Sequence, residues 1–180
     1  MITFVKVKID RKNQIYKNII FLEQIYNLYE KHEKFLNDDF RQADLLDEVI
    51  SIIERTSPFF WAILKDEKFA GFVFLENFIG NTKNKHSAEI TTCFEQEYWG
   101  NFTKHAGKKF IKYCFKKLKL KKLKCLVYKN NTKVFNLLKS VGMELEAELK
   151  NETIKNGKPQ DILIFTTTSY NHKERKKDAN

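Results

Sequence analysis

The sequence predicts an α/β fold of the α+β kind, one domain spanning 1–170 with a mixed central sheet of about seven strands and about four flanking helices. Three observations carry this. The hydrophobic period switches repeatedly between about 2 and about 3.6 residues along the chain. Strand–helix–strand units stand in the second half, and a helical crossover returns the chain in the same direction, which forces a parallel pair there. Elsewhere tight polar links join alternating runs, as in antiparallel hairpins.

The elements follow in order. Thr3 to Ile9 alternates apolar and polar and reads as a first strand. From Asn13 the period changes: Ile15, Ile19, Leu22, Tyr26 and Tyr29 fall on one face of a long helix. Asn37-Asp38-Asp39 breaks it. A second helix turns Leu45, Leu46, Val49, Ile50 and Ile53 inward and ends at Thr56-Ser57-Pro58. Phe59 to Leu64 and Phe69 to Asn77 form a hairpin across Lys65–Lys68, and Gly80 to Lys85 is a polar loop. Ser87 to Phe94 is a strand. A helix over 101–118 carries Phe102, Ala106, Phe110 and Cys114 on one stripe, with Ile111, Phe115 and Leu118 beside it. Leu123 to Tyr128 is a strand, and Lys129-Asn130-Asn131 opens a helix with Val134, Phe135, Leu137, Leu138 and Val141 inward. Gly142 stands where a left-handed C-cap residue belongs. Residues 143–150 form a strand, Asn156-Gly157-Lys158-Pro159 a turn, and Ile162 to Thr168 a last strand. Past Tyr170 nothing supports order, so 171–180 is expected to be a flexible basic tail.

Composition narrows the function classes. No apolar run approaches the roughly 20 residues a bilayer span needs, and the N-terminus lacks the layout of a signal peptide. A cytoplasmic protein is the expectation. Cys93, Cys114 and Cys125 are odd in number and widely spaced, so no disulfide framework is expected. His32, His86, His105 and His172 show no metal-ligand spacing, and no metal is expected. The net charge of +10 comes from lysine, densest over Lys108–Lys124 and again after His172. Such a surface suits nucleic acid, a ribosome or acidic partners. It also suits a merely solvated face, and the interleaved aromatics stand at helical core spacing rather than on an exposed platform.

The most informative stretch runs from Ala88 to Ala106: a strand, a bend at Trp99-Gly100, then the first turn of a basic helix. A strand feeding a helix N-terminus aims unpartnered amides beyond the bend, and with the helix dipole they make a site for phosphate. Four segments carry a resemblance. They are Ala88-Glu89-Ile90 with Glu97-Tyr98-Trp99-Gly100; Tyr113-Cys114-Phe115 with Leu118-Lys119-Leu120; Asn131 with Leu138-Lys139-Ser140-Val141-Gly142-Met143; and Asn156-Gly157 with Asp161. In this order the chain resembles the GNAT N-acetyltransferases, in particular the branch of ribosomal-protein N-terminal acetyltransferases, over roughly 58–168.

The resemblance implies an acetyl-CoA cosubstrate and direct acetyl transfer to a primary amine: a protein N-terminus, a lysine or a small-molecule amine. It places the phosphate loop on Trp99, Gly100, Asn101, Phe102, Thr103 and Lys104, with His105 within reach of a phosphate or solvated on the helix. Phe102 and Lys104 stand where the family has small residues that let backbone approach pyrophosphate. The pantetheine arm is expected between the strands 87–94 and 123–128, against Thr92, Cys93 and Phe94, with Asn131 bonding it or serving as a plain N-cap. An amide near Thr92 or Cys93 would polarise the thioester carbonyl. Glu89 is the candidate base, or else a bracing carboxylate; Tyr128 is the candidate acid, or else a core-edge tyrosine. Two alternatives stay open: a GNAT-fold binding or structural module without acetyl transfer, and a nucleic-acid-associated GNAT-like modifier.

Overall fold

The computed structural model describes residues 1–40, 44–81 and 85–170. Among these described residues are nine strands: β1 (Ile2–Lys6), β2 (Lys8–Asp10), β3 (Ile15–Lys17), β4 (Phe60–Lys65), β5 (Lys68–Gly80), β6 (Lys85–Phe94), β7 (Lys122–Tyr128), β8 (Glu144–Lys155) and β9 (Lys158–Thr168). Four α-helices accompany them: α1 (Leu22–Leu36), α2 (Leu45–Thr56), α3 (Asn101–Lys116) and α4 (Thr132–Ser140). Seven strands form one mixed sheet in the order β1-β4-β5-β6-β7-β9-β8, and β2 and β3 pair separately. The β6–β7 pair is parallel, while β1–β4, β4–β5 and β7–β9 are antiparallel. The mixed sheet and four helices expected from the sequence are therefore present. The chain divides into two compact units: Met1–Glu76, Thr91–Trp99 and Ile154–Lys158 in the first, and Asn77–Ile90, Gly100–Thr153 and the segment from Pro159 in the second.

In the first unit Asp66 and Glu67, at φ 49° and 68°, make the tight turn that joins β4 to β5. Phe60, Phe72 and Phe74 stack, with ring centroids 5.5–6.3 Å apart. Ile25 and Leu28 of α1 and Val49 and Ile53 of α2 are buried in the same core. Each such side chain removed from water contributes about 1.5–3 kcal/mol. Asp44 caps α2 by accepting from the Asp47 amide at 2.9 Å.

Two sequence expectations are corrected here. The first strand is split at Val7, whose amide donates to Phe60 O at 3.0 Å, so residues 8–10 leave the main sheet and pair with β3. The helix expected from Asn13 begins only at Leu22. Asp10 accepts from the Asn13 amide at 3.0 Å, and Gln14 and Asn18 adopt φ 53° and 54°, conformations a right-handed helix cannot continue. Ile15 and Ile19, which the spacing puts on the helix face, are 37% and 45% exposed.

In the second unit α3 buries Ala106, Phe110, Ile111 and Cys114. It stops at Lys116, two residues before the expected end, ahead of Lys119 at φ 60°. Gly107 permits close helix packing: a Cβ there would stand 3.0 Å from Val141 Cγ1. Phe135 of α4 meets Phe165 of β9 at 5.5 Å. The last two strands are longer than the sequence suggests, because charge pairing rather than apolar alternation supports their outer ends. Asp161 accepts from Lys129, Lys150 and the Asn151 amide at 3.1–3.3 Å, and this holds its carboxyl down at about 2. Among the described residues no helix is long and apolar enough to cross a membrane.

Candidate active site

The strand-to-helix corner is built by local bonds. β6 ends at Phe94, and a single 3-10 turn over Gln96–Tyr98 leads to Trp99. The Trp99 indole N–H donates to Phe94 O at 3.1 Å, which ties the bend to the strand it leaves. His32 of α1 lies against the Trp99 ring at 5.9 Å, and Lys31 donates to Glu95 at 3.1 Å. Burial lowers the His32 imidazole, and its buried Nε2 has no hydrogen-bond partner. On the strand itself the Thr92 hydroxyl donates to Phe72 O at 2.9 Å, and the buried Cys93 thiol is pushed up to about 12. Buried and protonated, that thiol is a poor nucleophile.

Gly100 then changes the direction of the chain at φ 98°, ψ −123°, a conformation that L side chains rarely adopt. Its amide donates to Thr103 Oγ1 at 3.2 Å, and the Thr103 hydroxyl donates back to Gly100 O at 2.8 Å. No side-chain cap reaches the first amides of α3, because the capping residue has no side chain. Nothing lies within 4 Å of the point a Gly100 Cβ would occupy. Asn101 and Lys104 are exposed, Phe102 is half-buried, and the exposed His105 ring bonds back to Asn101 O at 2.7 Å.

The parallel register of β6 and β7 covers Ser87↔Lys122, Ala88↔Leu123 and Glu89↔Lys124, while the strands run on to Phe94 and Tyr128. Both Glu89 oxygens accept bonds, from Lys124 Nζ at 2.9 Å and from Asn77 Nδ2 at 2.7 Å. Tyr128 is buried at the last position of β7, and its carbonyl accepts from the Asn131 amide at 2.9 Å. Asn131 heads α4, yet its side chain makes no capping bond. Among the described residues no three of His, Cys, Asp or Glu gather as a metal-binding group.

The structure thus collects the sequence candidates into small sets. Thr92, Cys93, Phe94 and Trp99 share one unit; Gly100, Asn101, Thr103 and His105 share one helical turn; Tyr128 and Asn131 are joined by a backbone bond. Sequence reasoning missed Lys124 as the partner of Glu89, His32 as the neighbour of Trp99, and Gly71. At Gly71 a Cβ would come within 2.2 Å of Cys93 O. A glycine inside a strand pattern is the signal that could have found it, since it marks close approach of another backbone. His32 had no such signal, because its contact joins two segments far apart in the chain.

A family model described as an acetyltransferase (GNAT) domain matches residues 22–144. The chain belongs to the GNAT acetyltransferase family. GNAT acetyltransferases use acetyl-CoA. Solved GNAT structures share the fold. A spermidine N-acetyltransferase of Vibrio cholerae in complex with CoA and spermine is similar at TM-score 0.71 and 21% identity, over 95% of this chain and 97% of that one. A mutant of the Vibrio cholerae spermidine enzyme gives TM-score 0.74 and 19% identity, over 97% and 98%. A GNAT-family acetyltransferase from Bacillus anthracis gives TM-score 0.67 and 13% identity, over 93% and 94%. No curated protein sequence gives a significant match. The family and fold are established, and the ribosomal-protein branch is a finer assignment that these similarities do not reach.

Proposed function

We propose that this GNAT protein is an acetyl-CoA-dependent N-acetyltransferase that passes the acetyl group directly to a primary amine. The observation that carries the proposal is the Gly100 corner, where a glycine-capped helix leaves its first turn open to a diphosphate. The half-buried Phe102 belongs to the inner side of α3, and Lys104 adds a cation at the same turn. The coenzyme arm runs along β6 past Glu89, where the register with β7 ends, and the Asn131 side chain bonds it. Acetyl-CoA supplies the activated acyl group. The neutral amine nitrogen attacks the thioester carbon, the carbon–sulfur bond breaks, the nitrogen releases a proton to water, and the departing thiolate takes one up and leaves as the coenzyme thiol. A strand amide at Thr92 or Cys93 stabilises the charge that builds on the carbonyl oxygen. Tyr128 is the proton donor to the leaving thiolate. The raised thiol of Cys93 agrees with transfer in one step rather than through an acyl-cysteine.

Both Glu89 oxygens are engaged, by Lys124 and by Asn77, so the carboxylate serves to hold β6 to β7 and the acceptor is left to lose its proton to water. An acceptor that loses its proton easily suits such a site. An α-amine titrates at about 7.7–8.0, whereas a lysine amine titrates at about 10.4. This favours a protein N-terminus and hence the ribosomal-protein branch. A polyamine acceptor is the second reading. Residues 22–56 hold nine acidic and four basic side chains in an otherwise basic chain, and the Vibrio cholerae neighbour is a spermidine enzyme.

The test has two steps. Acetyl-CoA should raise the Tm of the whole protein, since a ligand held only by the folded state stabilises it. Thiol release should then be followed with a peptide bearing a free α-amine, an N-blocked lysine peptide and spermidine. Turnover with the α-amine peptide alone supports the first reading, and turnover with spermidine alone supports the second. No rise in Tm at millimolar acetyl-CoA overturns acetyl transfer and leaves a GNAT-fold binding module.

A further inference from the structure

From Gly100 to Met143 the chain carries 13 lysines and not one aspartate or glutamate, while all 23 acidic residues lie elsewhere beside 20 basic ones. A general bias toward lysine would raise lysine everywhere. It would not empty one stretch of acids, since a uniform spread of the 23 would put several there. The structure sorts these lysines into two kinds. On β7, Lys122, Lys124 and Lys129, the residue that follows the strand, are paired with Glu146, Glu89, and Glu148 and Asp161. On α3, Lys108, Lys112 and Lys116 stand four residues apart, exposed, and without an ion pair among the described residues. The exposed Lys119 and Lys121 follow the helix end.

Four residues of helix rise about 6 Å, so Lys108 to Lys116 spans about 12 Å in a straight line. Like charges at this spacing on a helix repel one another, and a polyanion removes that repulsion. The buried stripe of Ala106, Phe110, Ile111 and Cys114 fixes the helix, so the lysines are held outward on a rigid support. Phe102, Tyr113 and Phe115 are half-buried and Phe110 is buried, so α3 itself carries no open aromatic platform for stacking bases. Ammonium groups without such a platform contact phosphates and do not read bases.

We propose that the outer face of α3 is a docking surface for the phosphate backbone of double-helical nucleic acid, bound without sequence preference. It is separate from acetyl transfer and stands or falls without it. A short fluorescein-labelled DNA duplex is titrated with the full chain by anisotropy from about 50 to 200 mM salt, where such binding weakens steeply. Each lost phosphate contact flattens the log–log salt slope by about 0.9, so Lys108→Gln/Lys112→Gln/Lys116→Gln should flatten it by nearly 3. The control Lys12→Gln/Lys17→Gln/Lys68→Gln removes the same charge elsewhere and should leave the slope nearly unchanged. Both variants must keep the parent Tm, and saturating coenzyme A should not displace the duplex. Four results overturn the proposal: no duplex binding at low salt, equal loss in the control variant, displacement by coenzyme A, or tighter binding to single strands or to phosphatidylserine vesicles than to the duplex.

Discussion

Gly71 and Gly100 are both required to be glycine, for opposite reasons. At Gly71 the neighbouring backbone is too close: a Cβ would sit 2.2 Å from Cys93 O and 3.0 Å from Phe94 Cα. At Gly100 there is nothing within 4 Å, and only the backbone conformation at φ 98° excludes other residues. The first glycine is consumed in packing β5 against the strand that carries Thr92, Cys93 and Phe94. The second leaves space outside the chain, which is the property a ligand site needs. A glycine whose surroundings are full reports on the fold, whereas one whose surroundings are empty reports on what the fold leaves room for.

Substitutions grade this contrast. Gly71→Ala should do most harm, because its clash is with backbone and no side chain can swing aside. A loss of about 3 kcal/mol is expected, read as a fall of roughly 10 °C in Tm. A Tm within a degree of the parent would show that β5 and β6 slide apart at no cost. Gly100→Ala meets only backbone strain, of about 1–3 kcal/mol, and should weaken acetyl-CoA binding at least tenfold by isothermal titration. Equal loss of stability with unchanged coenzyme affinity would make the corner structural and remove its part in the contrast.

Asn131→Ala sharpens the functional side. A true N-cap costs about 1 kcal/mol when truncated, but the Asn131 side chain makes no capping bond. Its loss should therefore shift Tm by less than a cap would, while raising the KM for acetyl-CoA. A full cap-sized destabilisation with normal KM would reverse that assignment. The smallest effect lies at the far end of the second unit. Asp161 has its carboxyl lowered by the Asn151 amide, Lys150 and Lys129, so its stabilising contribution is complete above the unfolded value near 3.9 and declines as pH falls toward about 2. Asp161→Asn should lower Tm slightly at neutral pH, where the contribution is complete, and the difference from the parent should shrink as pH falls below about 4 toward 2, which flattens the acid limb of the Tm–pH curve. No Tm difference at neutral pH, or one that persists undiminished at about pH 2, would contradict the charge pairing.

Much of this was legible in the chain. α2, α4 and the β4–β5 hairpin follow from apolar period and turn residues, and the Trp99-Gly100 bend stands out because a strand pattern runs straight into a helical one. Residues 8–17 were not legible. A three-residue strand has no period, and Ile15 and Ile19 fit a helical spacing by chance while Asp10, Gln14 and Asn18 set a different local backbone. The candidate residues were named by resemblance, but what each one touches was not readable. Glu89 read as a base or a bracing carboxylate, and nothing near it in the chain announces Lys124 and Asn77 on its two oxygens.

By itself the sequence determined the succession of strands and helices, the glycine-headed basic helix and the acid-free lysine tract, because periodicity, turn chemistry and charge are local properties. Only the tertiary structure decided that Glu89 faces Lys124, that Cys93 O presses on Gly71, and that three lysines of α3 have no ion pair among the described residues. Those outcomes depend on the register of strands far apart in the chain, and a parallel register is set by the whole sheet rather than by any one segment.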